Sequence, residues 1–519
     1  MKTKGICCFC VLIIFFVCPQ LLAEVKLAGI FGSNMVLQQQ SHVKIWGIAE
    51  PGEKISIHVD WKADSNSLPA NQTVADKSGK WLLRVRTPEA GGPYQIRIKG
   101  NNELFINNVL IGEVWLCSGQ SNMEMPMQGF DKLQQVQGSD EEIANSHNKS
   151  IRIFIISRNA SEKPLKDISG QWAICTPESV KHFSAVGYYF GKEINKKTGY
   201  PTGLIMCAYG GSLAQAWTRI EYLQNDDELH SVIDVYARIY NSWLNDCNQA
   251  EKNHTEKPAV PWKARDMDRP AALYNAMIAP ILPFQIRGVI WYQGESNADS
   301  TYQYRKLFPV MINNWRCDFE QFDMPFYFVQ LASFVDHNPG QKVEIYKGEP
   351  RDNVWWANLR EAQLMTCGLK NTAMAVTIDL GEANNIHPAN KKDVGHRLAL
   401  CALANTYGHK IEYSGPLYSG YQVEGQKIKV FFNHAAPCLI AKGETPTGFA
   451  IAGKDKKFVW ANAIIEGIAI VVSSPLVAEP AAVRYAWDTF PNGNIYNMAG
   501  LPASPFRTDD WNGHTNAAQ

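Results

Sequence analysis

Five apolar runs in the chain, "EVWLC", "GLIMCAY", "RGVIWYQ", "FYFVQLA" and "TAMAVTID", end respectively in "SGQSN", "YGGS", "YQGESN", "QLASF" and "DLGEANNIHP". Four of these ends carry groups that acyl transfer can use. A serine becomes a useful nucleophile when a base takes its proton and hydrogen-bond donors receive the charge that develops on the attacked carbonyl oxygen. Ser121 supplies the hydroxyl, His387 the base, and the glycine pair Gly210–Gly211 a stretch where a backbone N–H can approach a ligand unobstructed. Gln293 or Asn297 can add a side-chain donor, and the Ser121 N–H falls at the start of a helix, where anions are favoured. Taken singly, each residue has a plainer role: a serine as helix cap, two glycines as a tight turn, a glutamine or histidine as a hydrogen-bonded polar group. Their succession along one set of strands argues for a site.

Placing them together requires a sheet whose strands all point the same way. Continuous apolar strands alternate with amphipathic helices from residue 109 to 410. One helix lies in "FSAVGYYFGKEINKKTG", with Phe183, Val186, Phe190 and Ile194 on one face, and another in "ANKKDVGHRLALCALANTYG". This pattern predicts an α/β domain, a doubly wound parallel sheet covered by helices, with ligands at the carboxyl ends of its strands. A polar, helix-prone insertion at 219–270 interrupts it as a cap or docking surface. Short β-rich runs separated by "EPGE", "DKSGK" and "EAGGP" predict an N-terminal sandwich-like domain over 24–108, and the β texture returns in a C-terminal domain over 411–519. The closing "NIYNMAGLPASPFRTDDW" reads as too rich in turn residues for regular structure.

The 519 residues are 45% hydrophobic and 19% charged, as expected of a globular chain of two or three domains. Fifty basic and fifty acidic residues cancel, which argues against nucleic acid or an anionic membrane surface as a partner. Residues 1–23 carry two lysines and then a short apolar run, the pattern of a cleaved signal peptide, so a secreted or periplasmic protein is expected, with no membrane contact beyond export. Four of the twelve cysteines lie in this leader; the other eight are scattered, free to pair or to stay as buried thiols. Among these eight there is no CxxC and no Cys/His cluster, so neither a metal nor another cofactor is expected. Trp115, Trp217, Trp291 and Tyr292 suit either a sugar face or a core, while Met123, Met125 and Met127 read as packing beneath the site.

Met123 stands where a GxSxG elbow needs its second glycine, which disfavours a lipase-type hydrolase. Instead "GQSNM" (119–123), "YGGS" (209–212), "WYQGESN" (291–297) and "IHP" (386–388) followed by "VGHRLAL" resemble the blocks of the SGNH-type hydrolases, and most closely the sialate O-acetylesterases. "ALYNAMIAP" (272–280), "NLREAQ" (358–363) and "GLPASPFRTD" (500–509) extend the resemblance over residues 27–510. It implies a flavodoxin-like sheet, a secreted enzyme acting on acetylated carbohydrate, Ser121 as nucleophile and His387 as base. It also implies an oxyanion hole of the Ser121 N–H and Gly211 (or Gly210), with Gln293–Gly294–Glu295 as third side, and support from Gln120, Asn122, Glu295, Asn384 and Asn385. Sialic acid is the expected substrate, with Arg219, Arg269 and Arg360 as candidates to meet its carboxylate. An acetylesterase of plant cell-wall glycans such as xylan, or a non-catalytic glycan-binding protein, are the alternatives. The pattern departs at one point. Many relatives carry an aspartate three residues before the histidine, where it orients the imidazole, and here Asn384 stands there, followed by Asn385. The imidazole is then expected to lean on a backbone carbonyl, an asparagine oxygen, or an acid such as Asp379, Glu382 or Asp393.

Overall fold

In the computed structural model, which describes residues 24–62, 71–335, 345, 347–351 and 354–511, a single strand joins the first two expected domains. Strand β1 (Glu103–Gly119) alternates exposed and covered positions up to Asn108 and is buried at every residue from Val109 onward. Its first half pairs antiparallel with Gly91–Lys99. Further on it pairs parallel with Val36–Gln38 and then with strands on both sides. The boundary expected at 109 therefore falls inside one strand. Composition changes there because the strand passes from a sheet covered on one face to one covered on both, and the backbone ladder continues through the change.

The other parallel strands are β2 (Asn148–Ile155), β3 (Thr202–Ala208), β4 (Gly288–Tyr292), β5 (Phe326–Gln330) and β6 (Thr372–Val376). They lie in the order β2-β3-β1-β4-β5-β6, within a mixed sheet of 11 strands whose edge strand, Trp172–Cys175, runs antiparallel beside β2. The chain first fills one side of β1 and then returns to fill the other, which leaves a crevice at the carboxyl end of β1 between β3 and β4. Helices α1 (Ser121–Glu124), α2 (Ala185–Thr198), α3 (Thr301–Asp318) and α4 (Trp355–Thr366) lie between these strands and α5 (Lys391–Asn405) follows β6, with α2 packed on α5 and α3 on α4. Helix α2 begins where Ser184 Oγ accepts the Gly187 N–H at 3.0 Å, and it ends at Gly199 in a left-handed conformation. Val186, Phe190 and Ile194 line its buried face; Phe183 is buried too but precedes the helix.

Trp115, Trp217, Trp291 and Tyr292 are core residues. Trp217, Trp291 and Trp315 pack edge to face with centroids 5.7–6.5 Å apart. Met123 in α1 and Met125 and Met127 just after it are fully buried. The stretch 219–270 holds the long helix Ser231–Lys252. Beyond α5 come two four-stranded antiparallel sheets and a two-stranded ladder, Leu439–Ala441 with Ile495–Asn497. The closing segment thus contributes strands at Ile495–Asn497 and Phe506–Arg507, because a strand can be as short as its ladder partner while turn residues flank it. Arg360 on α4 joins this region to the sheet: its guanidinium donates to the carbonyls of Leu331, Ala332, Asp488 and Thr489. All eight cysteines among the described residues are free thiols, and none of the described helices is long and apolar enough to cross a membrane. The expected leader, residues 1–23, lies outside the described residues.

Strand β1 ends at Gly119, with φ +139°, where an added Cβ would sit 2.1 Å from the Tyr292 carbonyl oxygen. Gly119→Ala should therefore cost roughly 2–5 kcal/mol through backbone strain and overpacking, read as a lowered midpoint of denaturant unfolding. An unchanged midpoint would mean that this strand end accommodates a side chain.

Candidate active site

Ser121 opens the one-turn helix α1 directly beyond that glycine. The Gln120 carbonyl accepts the N–H groups of Met123 and Glu124, and the Gln120 N–H donates to Tyr292 O at 2.9 Å, so the turn is pinned to the end of β4. Gln120 Oε1 accepts Gly294 N and Ser296 N at 3.3 and 3.4 Å, a second tie to the same neighbour. The Ser121 hydroxyl is left at the mouth of the crevice.

His387 reaches it from the segment between β6 and α5, with Nε2 at 2.9 Å from Ser121 Oγ across 266 positions of sequence. Asn122 helps hold the two segments together. Its Nδ2 donates to the Ile386 carbonyl at 2.9 Å and to Glu295 Oε1 at 2.6 Å, and its Oδ1 accepts Lys391 Nζ at 2.5 Å. Asn385 Oδ1 accepts the His387 backbone N–H at 2.9 Å, whereas the exposed Asn384 side chain makes no hydrogen bond among the described residues.

The partner of His387 Nδ1 is none of the expected groups. It is Gln134 Oε1, at 2.8 Å. Asp379 pairs with Arg397 at 2.6 and 2.8 Å, Asp393 belongs to the cap of α5 with Asn390, and Glu382 accepts Ala389 N and Asn385 Nδ2. Gln134 lies in "LQQVQ", a polar stretch whose sequence carries no signal of a site. Phe130 of the same loop sets its ring against His387 edge to face, centroids 5.2 Å apart and planes inclined at 66°.

Electrostatics follow from enclosure. Burial, with repulsion from Lys391 added, pushes the His387 imidazole down to about 4. Burial likewise pushes the Lys391 ammonium down to about 7, partly offset by Glu295 and Glu382. The enclosed Glu295 carboxyl is raised by burial, against the hydrogen bond from Asn122, and its Oε2 has no partner among the described residues.

On the other side of Ser121 lies the glycine turn after β3. The Gly210 N–H donates to Glu124 Oε2 at 2.8 Å and is spent there; burial raises the Glu124 carboxyl, against the Arg158 charge and this bond. Gly211 has φ +71°, and its N–H, like that of Ser121, is engaged by no group among the described residues. Gln293, expected as an oxyanion donor, is instead a strut. It is fully buried, its Nε2 donates to Ser212 O at 3.1 Å and Asn297 Oδ1 at 2.7 Å, and its Oε1 accepts the Tyr304 hydroxyl. The side chain is wholly enclosed, and its polar atoms meet internal partners. Asn297 Nδ2 uses one hydrogen on Gln215 Oε1 at 3.0 Å and keeps the other. Of the three arginines considered for a substrate carboxylate, Arg360 is buried on carbonyls, Arg219 pairs with Asp318 and Glu221, and Arg269 pairs with Glu162. Arg158 and Arg265 flank the glycine turn instead: Arg158 lies 3.4 Å from Glu124 and over the Tyr209 ring, and Arg265 donates to Gly211 O at 3.2 Å. Among the described residues no group of three His, Cys, Asp or Glu side chains is disposed to hold a metal ion.

Comparison with known proteins adds an independent finding. Residues 111–404 match the family model described as carbohydrate esterase, sialic acid-specific acetylesterase. The sialate O-acetylesterase of Mus musculus is 28% identical over 93% of this chain and 94% of its own, and that of Homo sapiens 27% identical over 94% of each. The crystal structure of a carbohydrate acetylesterase from Xanthomonas citri superposes with a TM-score of 0.79 at 35% identity, covering 94% of this chain and 100% of that one.

The electrostatic arrangement has a direct test. His387 should titrate near pH 4, well below an exposed imidazole, in a histidine-labelled NMR titration. Lys391→Met, which removes the neighbouring cation, should move that titration upward. A wild-type midpoint near the ordinary value would contradict the enclosure described here.

Proposed function

The chain belongs to the sialic acid-specific acetylesterase family of carbohydrate esterases, and on that premise we propose that it removes O-acetyl groups from sialic acids with Ser121 as nucleophile and His387 as base. As a carboxylic-ester hydrolase of this family it must make an alkoxide, receive a developing oxyanion and release an alcohol. His387 Nε2 takes the Ser121 proton as Oγ attacks the acetyl carbonyl carbon. The carbonyl oxygen gathers negative charge, which the Ser121 and Gly211 N–H groups meet, with the remaining Asn297 Nδ2 hydrogen on the third side. The imidazolium then returns its proton to the departing sugar oxygen, leaving an acetyl-serine. Water, activated in turn by His387, releases acetate and restores the hydroxyl.

The observation that carries this reading is the 2.9 Å contact between His387 Nε2 and Ser121 Oγ. It supports hydrolysis over glycan binding alone. The mammalian relatives named sialate O-acetylesterase support sialic acid as substrate. A second reading, deacetylation of neutral cell-wall glycans such as xylan, draws support from the ion pairs and carbonyls that already engage Arg219, Arg269 and Arg360. In either case the lysine-flanked apolar leader supports export. The catalytic unit is read as an SGNH-type doubly wound domain over 109–410, with the β regions 24–108 and 411–519 as flanking domains and 219–270 as its insertion.

Ser121→Ala and His387→Ala should each lower turnover on the order of 10³-fold or more, without change in thermal unfolding, while Asn384→Ala stays within about threefold of wild type because its side chain touches nothing in the site. The rate should hold as pH falls toward 4 and decline below it, since a base works only while neutral and protonation removes it. Release of acetate from 9-O-acetylated sialic acid and from acetylated xylan fragments, measured side by side, decides between the two substrates. Full turnover by the Ser121→Ala variant would overturn the nucleophile assignment.

A further inference from the structure

The group that meets His387 Nδ1 is an uncharged amide carried by a self-closed loop. Gly129 N donates to Pro126 O, Phe130 N to Gln134 O, and Asp131 Oδ1 accepts the N–H groups of Leu133 and Gln134 at 2.7 and 3.0 Å. Gln137 N donates to Ala389 O, which ties the far end of the loop to the segment just after His387. Two side chains of this loop then touch the imidazole: the Phe130 ring and Gln134 Oε1.

We propose that Gln134 is the positioning residue of the Ser121–His387 pair, standing where an acid commonly stands and making the site work without a carboxylate on its histidine. The proposal rests on the nucleophile and base assigned above. An amide oxygen only accepts hydrogen bonds, so Nδ1 opposite Gln134 Oε1 carries the proton, and Nε2 presents its lone pair to the serine. The charged groups on the surrounding elements leave this place to Gln134. Glu382 is held by Ala389 N and Asn385, Asp131 by its own loop, Glu124 by Gly210 N and Arg158, and Glu295 by Asn122. Lys391, on Asn122 Oδ1, is the cation of the group. A neutral acceptor fixes ring and tautomer as an aspartate does, yet it adds no attraction for the imidazolium formed during attack. The base therefore stays available in acid and gives up some basicity near neutrality.

The experiment is the pH profile of kcat and KM for acetyl-ester hydrolysis by wild type, Gln134→Ala and Gln134→Glu, with thermal unfolding of each. Gln134→Ala should lower kcat on the order of 10²-fold with KM nearly unchanged, because the ring loses its fixed tautomer. Gln134→Glu, close in shape, should restore most of the turnover above neutral pH and move the acidic limb upward by roughly one to three pH units, as a carboxylate beside an imidazole does. A mere packing role would not move that limb. The proposal fails if Gln134→Ala turns over within threefold of wild type, or if Gln134→Glu leaves the acidic limb where it was. Ser121→Ala measured alongside separates the two levels: activity there sinks the nucleophile reading itself, whereas an inactive Ser121→Ala with unaffected Gln134 variants sinks only the role of Gln134.

Discussion

Everything in this molecule is referenced to one strand. Glu103–Gly119 is long enough to serve two regions of one sheet, antiparallel to Gly91–Lys99 over its first half and flanked by parallel neighbours over its second. A strand hydrogen-bonded on both sides cannot slide without turning its side chains to the wrong face. Its carboxyl end is thereby held at a defined height, and the closeness of Gly119 to the Tyr292 carbonyl forces the chain into the turn that presents Ser121. The ends of β3 and β4 stand on either side at matching register, Ala208 and Tyr292 both opposite Gly119. The glycine turn and the Gln293 strut thus inherit their positions from the same ladder.

The contact between serine and histidine needs more than the sheet, since His387 comes from a segment with little regular structure. It is held by polar groups taken out of water, which is costly unless every one is paired. Asn122 bridges Ile386 O, Glu295 and Lys391, so a single side chain next to the serine fixes the backbone next to the histidine. Burial of the imidazole, with the enclosed Lys391 beside it, pushes His387 toward the neutral ring. An imidazole kept neutral by its environment can accept a proton without first losing one.

How much of this was legible in the chain depends on what each element needs from its neighbours. The buried parallel strands announce themselves because both faces must be apolar, and "GLIMCA" or "GVIWY" has few other uses in a globular protein. The blocks "GQSN", "YGGS", "QGESN" and "IHP" are local and ordered, so Ser121, His387 and the glycine turn can be singled out before any folding. The change of texture near residue 109 is also real, but it reports burial and not a break in the chain. The strand and its ladder continue through the change.

Other features were decided only in three dimensions, because hydrogen-bond partners far apart in sequence leave no spacing to read. Asn384 stands three positions before His387 yet faces solvent, while Gln134, 253 positions away, meets the imidazole. Local sequence carries the apolar parallel strands, the ordered blocks that hold a hydroxyl, an imidazole and a pair of glycines, and with them the family's ester cleavage. Folding settles which glycine N–H is left uncommitted, that Gln293 turns inward, that Arg360 serves carbonyls, and that the Gln134 amide meets His387 Nδ1. The reason is physical. Secondary structure and strand ends follow from periodicities of a few residues, whereas the commitment of each donor and acceptor depends on which loop lies beside it after folding.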